Sequence, residues 1–361
     1  MIIPVITALG PVTPLGQGRE ALLQAWRDGA VATPDGEGEL AGSLSVGALR
    51  LRDHFPKHRN DLRRMDRLSK LLCMAAALAR DDGGFGDGEH LALAVGTDLG
   101  TLETTWSFLS RLREKGPALA NPADFPNLVP NAGAGYVGIF CGLRGPSLTF
   151  CQHETCGDDA AAWGADAVRS GQVPAALVGG AEELSITRVR AGRAARCPEQ
   201  RPTEGAALCL LEAPARAAAR GVQPLASHLG SWGACGRPGG TPMTGSLDVD
   251  AAASLVARSL SHLGVDGSRV GAILASEPAL LAPARQALGH HAPATDHADR
   301  LGSHPADGAL RLTLAALLVA DRSLPVHAGG DGLRGDLALI LSAARGGGLR
   351  ATLIGPPGGI S

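Results

Sequence analysis

The sequence has little net charge, no long apolar run and few features of an export signal in its first residues. Thirty-three Lys and Arg residues face 35 Asp and Glu residues, which gives a formal net charge of −2. This balance argues against a nucleic-acid partner. No apolar run approaches the ~20 residues that a bilayer crossing needs, so we expect no membrane partner. The opening residues MIIPVITALG lack a basic n-region and a small-residue cleavage site. We therefore expect a cytoplasmic protein without a signal peptide.

Paired cysteines are also lacking. The chain has seven cysteines, an odd number, and no CxxC pair. We therefore expect no disulfide framework and no zinc ribbon, but buried, reduced thiols. We expect no metal and no cofactor. The cysteines are Cys73, Cys141, Cys151, Cys156, Cys197, Cys209 and Cys235.

The chain does contain alternating buried strands and helices. Of its 361 residues 45% are hydrophobic, which is enough for two core units, and the 50 Gly and 24 Pro residues predict many tight turns. LALAVGTDLG is a continuous apolar run that ends at glycine, as in a strand covered on both faces. Residues 61–84 predict a helix that is basic in its first half and buried in its second. The pattern predicts an α/β fold of layered sheets and helices.

The same alternation returns in the second half of the chain, which suggests an internal duplication. We predict an N-terminal half over residues 1–215 and a C-terminal half over residues 216–361. Segments 33–45 and 234–247 are rich in Gly, Pro and small polar residues and are the candidate weak points between elements.

Six segments, in order along nearly the whole chain, resemble the β-ketoacyl synthase branch of the thiolase superfamily. They are VITALGPVTPLGQGREALLQAWRDG, RRMDRLSKLLCMAAALARDDGG, FPNLVPNAGAGYVGIFCGLRGPSLTF, VGGAEEL, EGAALCLLE and LSAARGGGLRATLI. The resemblance implies a thiolase-like, five-layered α-β-α-β-α core built from two duplicated halves. It also implies a dimer whose interface lies near the active site.

The family's catalytic residues are altered in this chain. A condensing enzyme carries its acyl chain on a cysteine thiolate at a helix N-terminus, and two histidines stabilise the enolate and the oxyanion. Counted from Gly145-Pro146-Ser147, the family cysteine falls on Glu154, which cannot form a stable thioester. Cys156 and Cys151 are nearby thiols, and packing explains them better than a displaced nucleophile does.

The histidine and gate motifs have changed as well. The segment that resembles the first histidine motif contains Ser276 and Glu277 and no histidine. The second motif leaves its histidine ambiguous between His297 and His304, which surface or loop roles also explain. Arg345 stands where the family has a phenylalanine gate.

Because the nucleophile, the histidines and the gate have all changed, the chain resembles the chain length factor, or ketosynthase β subunit, of type II polyketide synthases. That likeness implies a pseudoenzyme with no catalytic residues of its own, in a heterodimer with a catalytic ketosynthase subunit. The pair would elongate polyketide or polyene chains on an acyl carrier protein. The alternatives are a malonyl-carrier-protein decarboxylase or acyltransferase that uses Glu154, and a structural homodimer. For Glu154 itself a helix cap or one side of an ion pair is the simpler role.

The likeness also implies that the helix after GTDLG closes the partner's acyl tunnel. Its tunnel-end positions fall on Leu102, Thr105 and Leu109, on one helix face. Trp106 and Phe108 lie nearby and are candidate stoppers, although the whole stripe is also typical of an interface core.

A basic helical face is predicted in the segment before that helix. It comprises Arg63, Arg64, Arg67 and Lys70. An acidic carrier protein would suit it, but a solvated face is the simpler expectation.

Overall fold

The computed structural model describes residues 2–86, 90–194, 201–236 and 247–359. Its strands are β1 (Val5–Thr13), β2 (Gly16–Gln17), β3 (Ala92–Gly96), β4 (Ser147–Phe150), β5 (Ala175–Glu182), β6 (Gly205–Glu212), β7 (Ala226–Cys235), β8 (Val270–Ala275), β9 (Leu337–Ala343) and β10 (Gly348–Gly355). Its helices are α1 (Arg19–Arg27), α2 (Leu51–His54), α3 (Arg67–Gly83), α4 (Leu102–Lys115), α5 (Ala132–Cys141), α6 (Cys156–Arg169), α7 (Ile186–Ala194), α8 (Pro214–Ala219), α9 (Val249–Leu263), α10 (Leu281–Leu288), α11 (His297–Leu301) and α12 (Gly308–Ala320).

The strands form one sheet path made of two similar halves. The order is β4-β3-β5-β6-β1-β7-β10-β9-β8, and β2 adds a hairpin to β1. The halves join where β1 pairs with β7 over only two residues, Val5 with Ser227 and Ile6 with Ala226. In the first half β1 and β5 are antiparallel to β6, and β3 is parallel to β5. In the second half β7 and β9 are antiparallel to β10, and β8 is parallel to β9.

A remnant of a fifth strand completes the second half. β4 runs parallel to β3 at the end of the first half-sheet. In the same place beside β8, Ile273 and Ala294 form one parallel bridge. The Ile273 amide donates to Pro293 O at 2.9 Å, and the Thr295 amide donates to Ile273 O at 3.0 Å. The two halves therefore share one strand order, as the predicted duplication requires.

The helices and half-sheets stack in five layers. α3 packs on the outer face of the first half-sheet, against β1, β5 and β6, and α5 packs on α3. α6 and α12 lie between the half-sheets, and α9 and α10 cover the outer face of the second. Three separate apolar clusters fill the spaces between these layers. The predicted thiolase-like α-β-α-β-α core is therefore confirmed.

Helix α3 begins later than predicted. Residues 61–63 form a 3-10 turn, and Asp66 caps α3 by accepting the Ser69 amide at 2.7 Å. The predicted basic helical face is therefore wrong, because Arg63 and Arg64 precede the helix. Arg67 is not a free surface charge either, because its guanidinium forms an ion pair with Glu204.

Other expectations are corrected or lie outside the description. Four of the six described cysteines are buried, but Cys151 and Cys235 are exposed, so the thiols are not all buried. Cys197 and residues 237–246 lie outside the described residues. Segment 33–45 is held to the body where Leu44 forms a bridge with Thr203. No helix in the described parts of the chain combines the length and hydropathy that crossing a membrane requires.

Candidate functional site

The loop between β4 and α6 places Glu154 at the start of a central helix. The parallel strands β3 and β4 end at the same sheet edge, and Glu154 lies two residues before α6 begins at Cys156. The preceding residue, His153, has φ = 62°, and no other non-glycine residue in the described ranges has a positive φ. Strain of this kind persists where surrounding contacts fix the backbone. A carboxylate here gains about 0.3–1 kcal/mol from the helix dipole.

Glu154 is one side of an ion pair with Arg345. The Arg345 Nε pairs with Glu154 Oε1, and the Arg345 backbone amide donates to Glu154 Oε2 at 3.0 Å. Arg345 lies in the turn between β9 and β10, 191 residues from Glu154. The structure thus brings together the two residues that were predicted, separately, to stand at the nucleophile and gate positions.

Asp98 is a third member of this cluster, and the sequence analysis did not single it out. Its carboxylate is 7% exposed and accepts from Arg345 Nη2 at 2.7 Å. His153 Nδ1 lies 3.6 Å from Asp98 Oδ1. Burial raises the pKa of Asp98, against the lowering effect of Arg345. The sequence signal that could have identified Asp98 is its place in GTDLG. An acidic residue just after a buried strand is typical of a site at the strand's carboxyl end.

Glu277 extends the acidic character of the cluster. It follows β8, in the segment that resembles the first histidine motif. Burial raises its pKa, and the charge of Glu154 raises it further. A carboxyl group therefore lies within electrostatic reach of Glu154, where the resemblance would have required an imidazole.

Charged pairs also fill the layer directly behind Glu154. Asp159 on α6 binds both Gln152 and Arg350. Arg311 on α12, fully buried, pairs with Asp307 and lies 3.2 Å from Asp158. These contacts join the N-terminal ends of α6 and α12.

The two candidate histidines are buried and neutral. Burial lowers the pKa of both His297 and His304 to about 3, and nearby Arg311 adds to this effect. His297 Nδ1 lies 2.8 Å from the Thr295 hydroxyl. Within the described residues, neither imidazole has a hydrogen bond or ion pair with Glu154. The expectation of surface positions for these two histidines is therefore wrong, and a catalytic role for either stays untested.

The nearby thiols are poorly suited to form thiolates. Cys156, the first residue of α6, is fully buried, and burial raises its pKa well above the ordinary value. Cys151 is exposed, but desolvation and the charge of Glu182 raise its pKa as well. Since the thiolate is the nucleophile, both environments disfavour acyl transfer; Cys156 is packed in the core, and the packing role expected for Cys151 is wrong because that thiol is exposed.

The predicted tunnel helix α4 lies at the surface. None of its residues is buried, and Trp106 and Leu109 are 54% and 51% exposed. Leu102 and Thr105 are half-buried, and the Thr105 hydroxyl donates to Leu128 O at 3.3 Å. Large apolar side chains exposed on this and neighbouring segments are Trp106, Leu109, Leu119, Phe125, Val129, Ile139 and Ile186. Whether the α4 residues line a tunnel stays a prediction.

The cluster of Glu154, Arg345 and Asp98 sets two carboxylates against one guanidinium. Both Glu154 oxygens contact Arg345, whose guanidinium also holds Asp98. We expect such a cluster to fix three loops in place.

Comparisons with known proteins identify related sequences and structures. The "Beta-ketoacyl synthase, N-terminal domain" family matches residues 5–203. The 3-oxoacyl-[acyl-carrier-protein] synthase 2 of Vibrio harveyi is 29% identical over 196 residues, covering 52% of this chain and 47% of that protein. Nodulation protein E of Rhizobium leguminosarum bv. trifolii is 30% identical over 250 residues, covering 63% and 62%. The chain thus spans about half to three-fifths of the length of these curated relatives.

Solved structures match over almost the full chain. The ishigamide ketosynthase/chain length factor has a TM-score of 0.84 at 21% identity, covering 99% of this chain and 100% of that one. A type II polyketide synthase acyl-carrier protein in complex with its ketosynthase has a TM-score of 0.82 at 17% identity, covering 98% and 99%. A β-ketoacyl synthase from Burkholderia phymatum STM815 has a TM-score of 0.82 at 20% identity, covering 99% and 100%. These TM-scores establish the fold of the chain.

Proposed function

The chain belongs to the β-ketoacyl synthase family, and we propose that within it this chain is a non-catalytic chain length factor. In this proposal it pairs with an active ketosynthase and shapes the tunnel that holds a growing polyketide or polyene chain. The acyl carrier protein delivers that chain. The subunit contributes structure to the condensation, and the partner contributes the nucleophile.

The observation that carries the proposal is the pairing of Glu154 with Arg345. A condensing site needs an unpaired thiolate where Glu154 stands, and both oxygens of this carboxylate instead contact Arg345. A decarboxylase or acyltransferase based on Glu154 would need the carboxylate released and an imidazole beside it. His297 and His304 have no bond to Glu154 among the described residues, so the non-catalytic role is the better account.

Two surface features support a protein partner. β4 is the end strand of the sheet path, and within the described residues it pairs only with β3. Exposed apolar side chains lie close by in sequence, with Ile139 at 66% and Phe125 at 68% exposure. An end strand with apolar neighbours favours burial against another subunit. A homodimer would contain no nucleophile at either Glu154 position, which favours a ketosynthase as the partner.

Enlarging the side chains at the predicted tunnel end should shorten the product. In the co-expressed complex, Leu102→Phe and Leu109→Phe are each expected to shift the product towards fewer extension units. The reason is that phenylalanine fills space which leucine leaves open. Mass spectrometry of the released products measures the shift.

Val249→Phe is the control for these variants. Val249 is 47% exposed at the start of α9, on the outer layer of the other half, so its enlargement should leave product length unchanged. Unchanged product from both leucine variants would contradict the proposed role of α4.

A further inference from the structure

Helix α4 is held at its first turn and gains little from burial. No side chain between Leu102 and Lys115 is buried. Since helices in proteins are stabilised mainly by packing an apolar face, a helix like this depends on the contacts that fix its start. The loop between β3 and α4 fixes the start of the helix, while Thr105 and Arg111 attach later turns to Leu128 and Asp124.

The backbone of this loop is attached to the end of β5. Glu182 accepts the amides of Asp98 at 2.9 Å and Leu99 at 3.3 Å. Glu183 accepts the amide of Glu103, in the first turn of α4, at 3.0 Å. The loop closes on itself where the Gly100 amide donates to Thr97 Oγ1 at 3.1 Å. These bonds attach the backbone of the loop to the end of β5.

The side chain of Asp98 gives the loop a second attachment. Arg345 binds it at 2.7 Å from the turn between β9 and β10. Glu154 in turn holds Arg345 by an ion pair with its guanidinium and a hydrogen bond from its backbone amide. Without Arg345, the carboxylates of Asp98 and Glu154 would repel each other in a partly buried site.

We propose that Glu154 and Arg345 are positioning residues that hold the start of α4 through Asp98. The residue at the former nucleophile position then sets where Leu102 and Leu109 stand. The consequence for product length rests on the proposed function; the positioning itself does not.

Hydrogen–deuterium exchange on the isolated full chain tests the positioning directly. Arg345→Met and the nearly isosteric Glu154→Gln should speed exchange of amides in residues 98–115 by about tenfold or more, because local opening of the loop becomes easier. Protection in the central helix α12 should stay unchanged. Arg334→Met is the matched control, since Arg334 forms an exposed pair with Asp331 in the same half.

Each outcome decides the inference. Faster exchange confined to residues 98–115 in Glu154→Gln supports it, even if Arg345→Met loosens more of the chain. Unchanged exchange in both variants overturns it, and so does equal loss of protection in α12, because that indicates a general structural role.

Product analysis of the complex separates this inference from the proposed function. We expect Arg345→Met to broaden the product-length distribution while Leu109→Phe shifts it. A shift from Leu109→Phe alone overturns the effect of positioning on product length and leaves the proposed function standing. If neither variant changes the product, the proposed function fails, and the exchange result alone decides the positioning role.

Discussion

Replacing Arg311 with methionine is expected to lower the free energy of unfolding by about 3–5 kcal/mol. Arg311 is fully buried on α12, where its guanidinium pairs with Asp307 and with Asp158 at 3.2 Å and donates to Ser342 Oγ at 3.0 Å. Methionine fills similar space but leaves two buried carboxylates without their counter-charge. Losing one partner of a buried pair costs far more than the pair contributes relative to an apolar core.

Urea unfolding of Arg311→Met and of Arg334→Met measures this effect. The second variant breaks the exposed pair with Asp331, which should cost about 1 kcal/mol or less. A loss below about 1 kcal/mol for Arg311→Met would show that the packing of α6 on α12 does not depend on this charge network.

The free energy of unfolding is expected to be highest near pH 6.5. Buried histidines cause it to fall at lower pH. Burial lowers the pKa of His228, His297 and His304 to about 3 in the folded chain. Unfolded histidines titrate near 6.5, so below that pH the unfolded chain binds more protons. Each histidine therefore lowers stability by about 1.4 kcal/mol per pH unit as the pH falls from 6.5 towards 3.

Two buried carboxyl groups cause the free energy of unfolding to fall above pH 6.5. Burial raises the pKa of Glu182 to about 8 and that of Glu183 to about 7. Between their ordinary value near 4.5 and these values the folded chain binds more protons, so stability falls as the pH rises. Above pH 6.5 the histidines no longer oppose this, and Glu182 alone should remove about 2 kcal/mol by pH 8.

Unfolding free energies at pH 5, 6.5 and 8 test the predicted maximum. Glu182→Gln should flatten the fall between pH 6.5 and 8, because glutamine does not titrate. Val249→Gln is the control: Val249 is 47% exposed on α9 and does not titrate, so the shape of the profile should not change. Stability that rises from pH 6.5 to 8 in the wild-type chain would contradict the prediction.

Much of the fold could be predicted from the sequence, because buried strands and helices have strong apolar patterns. β3 lies within the run LALAVGTDLG expected to form a strand, and α3 lies within residues 61–84. β7 was missed because its second half is only partly buried and contains Gly230, Trp232 and Gly233, without regular alternation. The late start of α3 had a usable signal, since Asp66 and Ser69 have the spacing of a helix cap.

The site was harder to predict, because its contacts join distant loops. Motif spacing located Glu154 and Arg345 separately. Their pairing depends on the turn after β9 lying near the loops that follow β3 and β4, which only the stacked half-sheets determine. The burial of His297 and His304 likewise depends on the packing of the central layer.

The central claim is that this chain carries no acyl group, and intact-mass measurement tests it most directly. The chain and its ketosynthase partner are incubated together with acyl and malonyl carrier protein. The intact mass of each subunit is then measured by mass spectrometry after denaturation. The account predicts an acyl mass increment on the ketosynthase and none on this chain. A covalent acyl adduct on this chain, mapped to Glu154, Cys156 or any other residue, would contradict it.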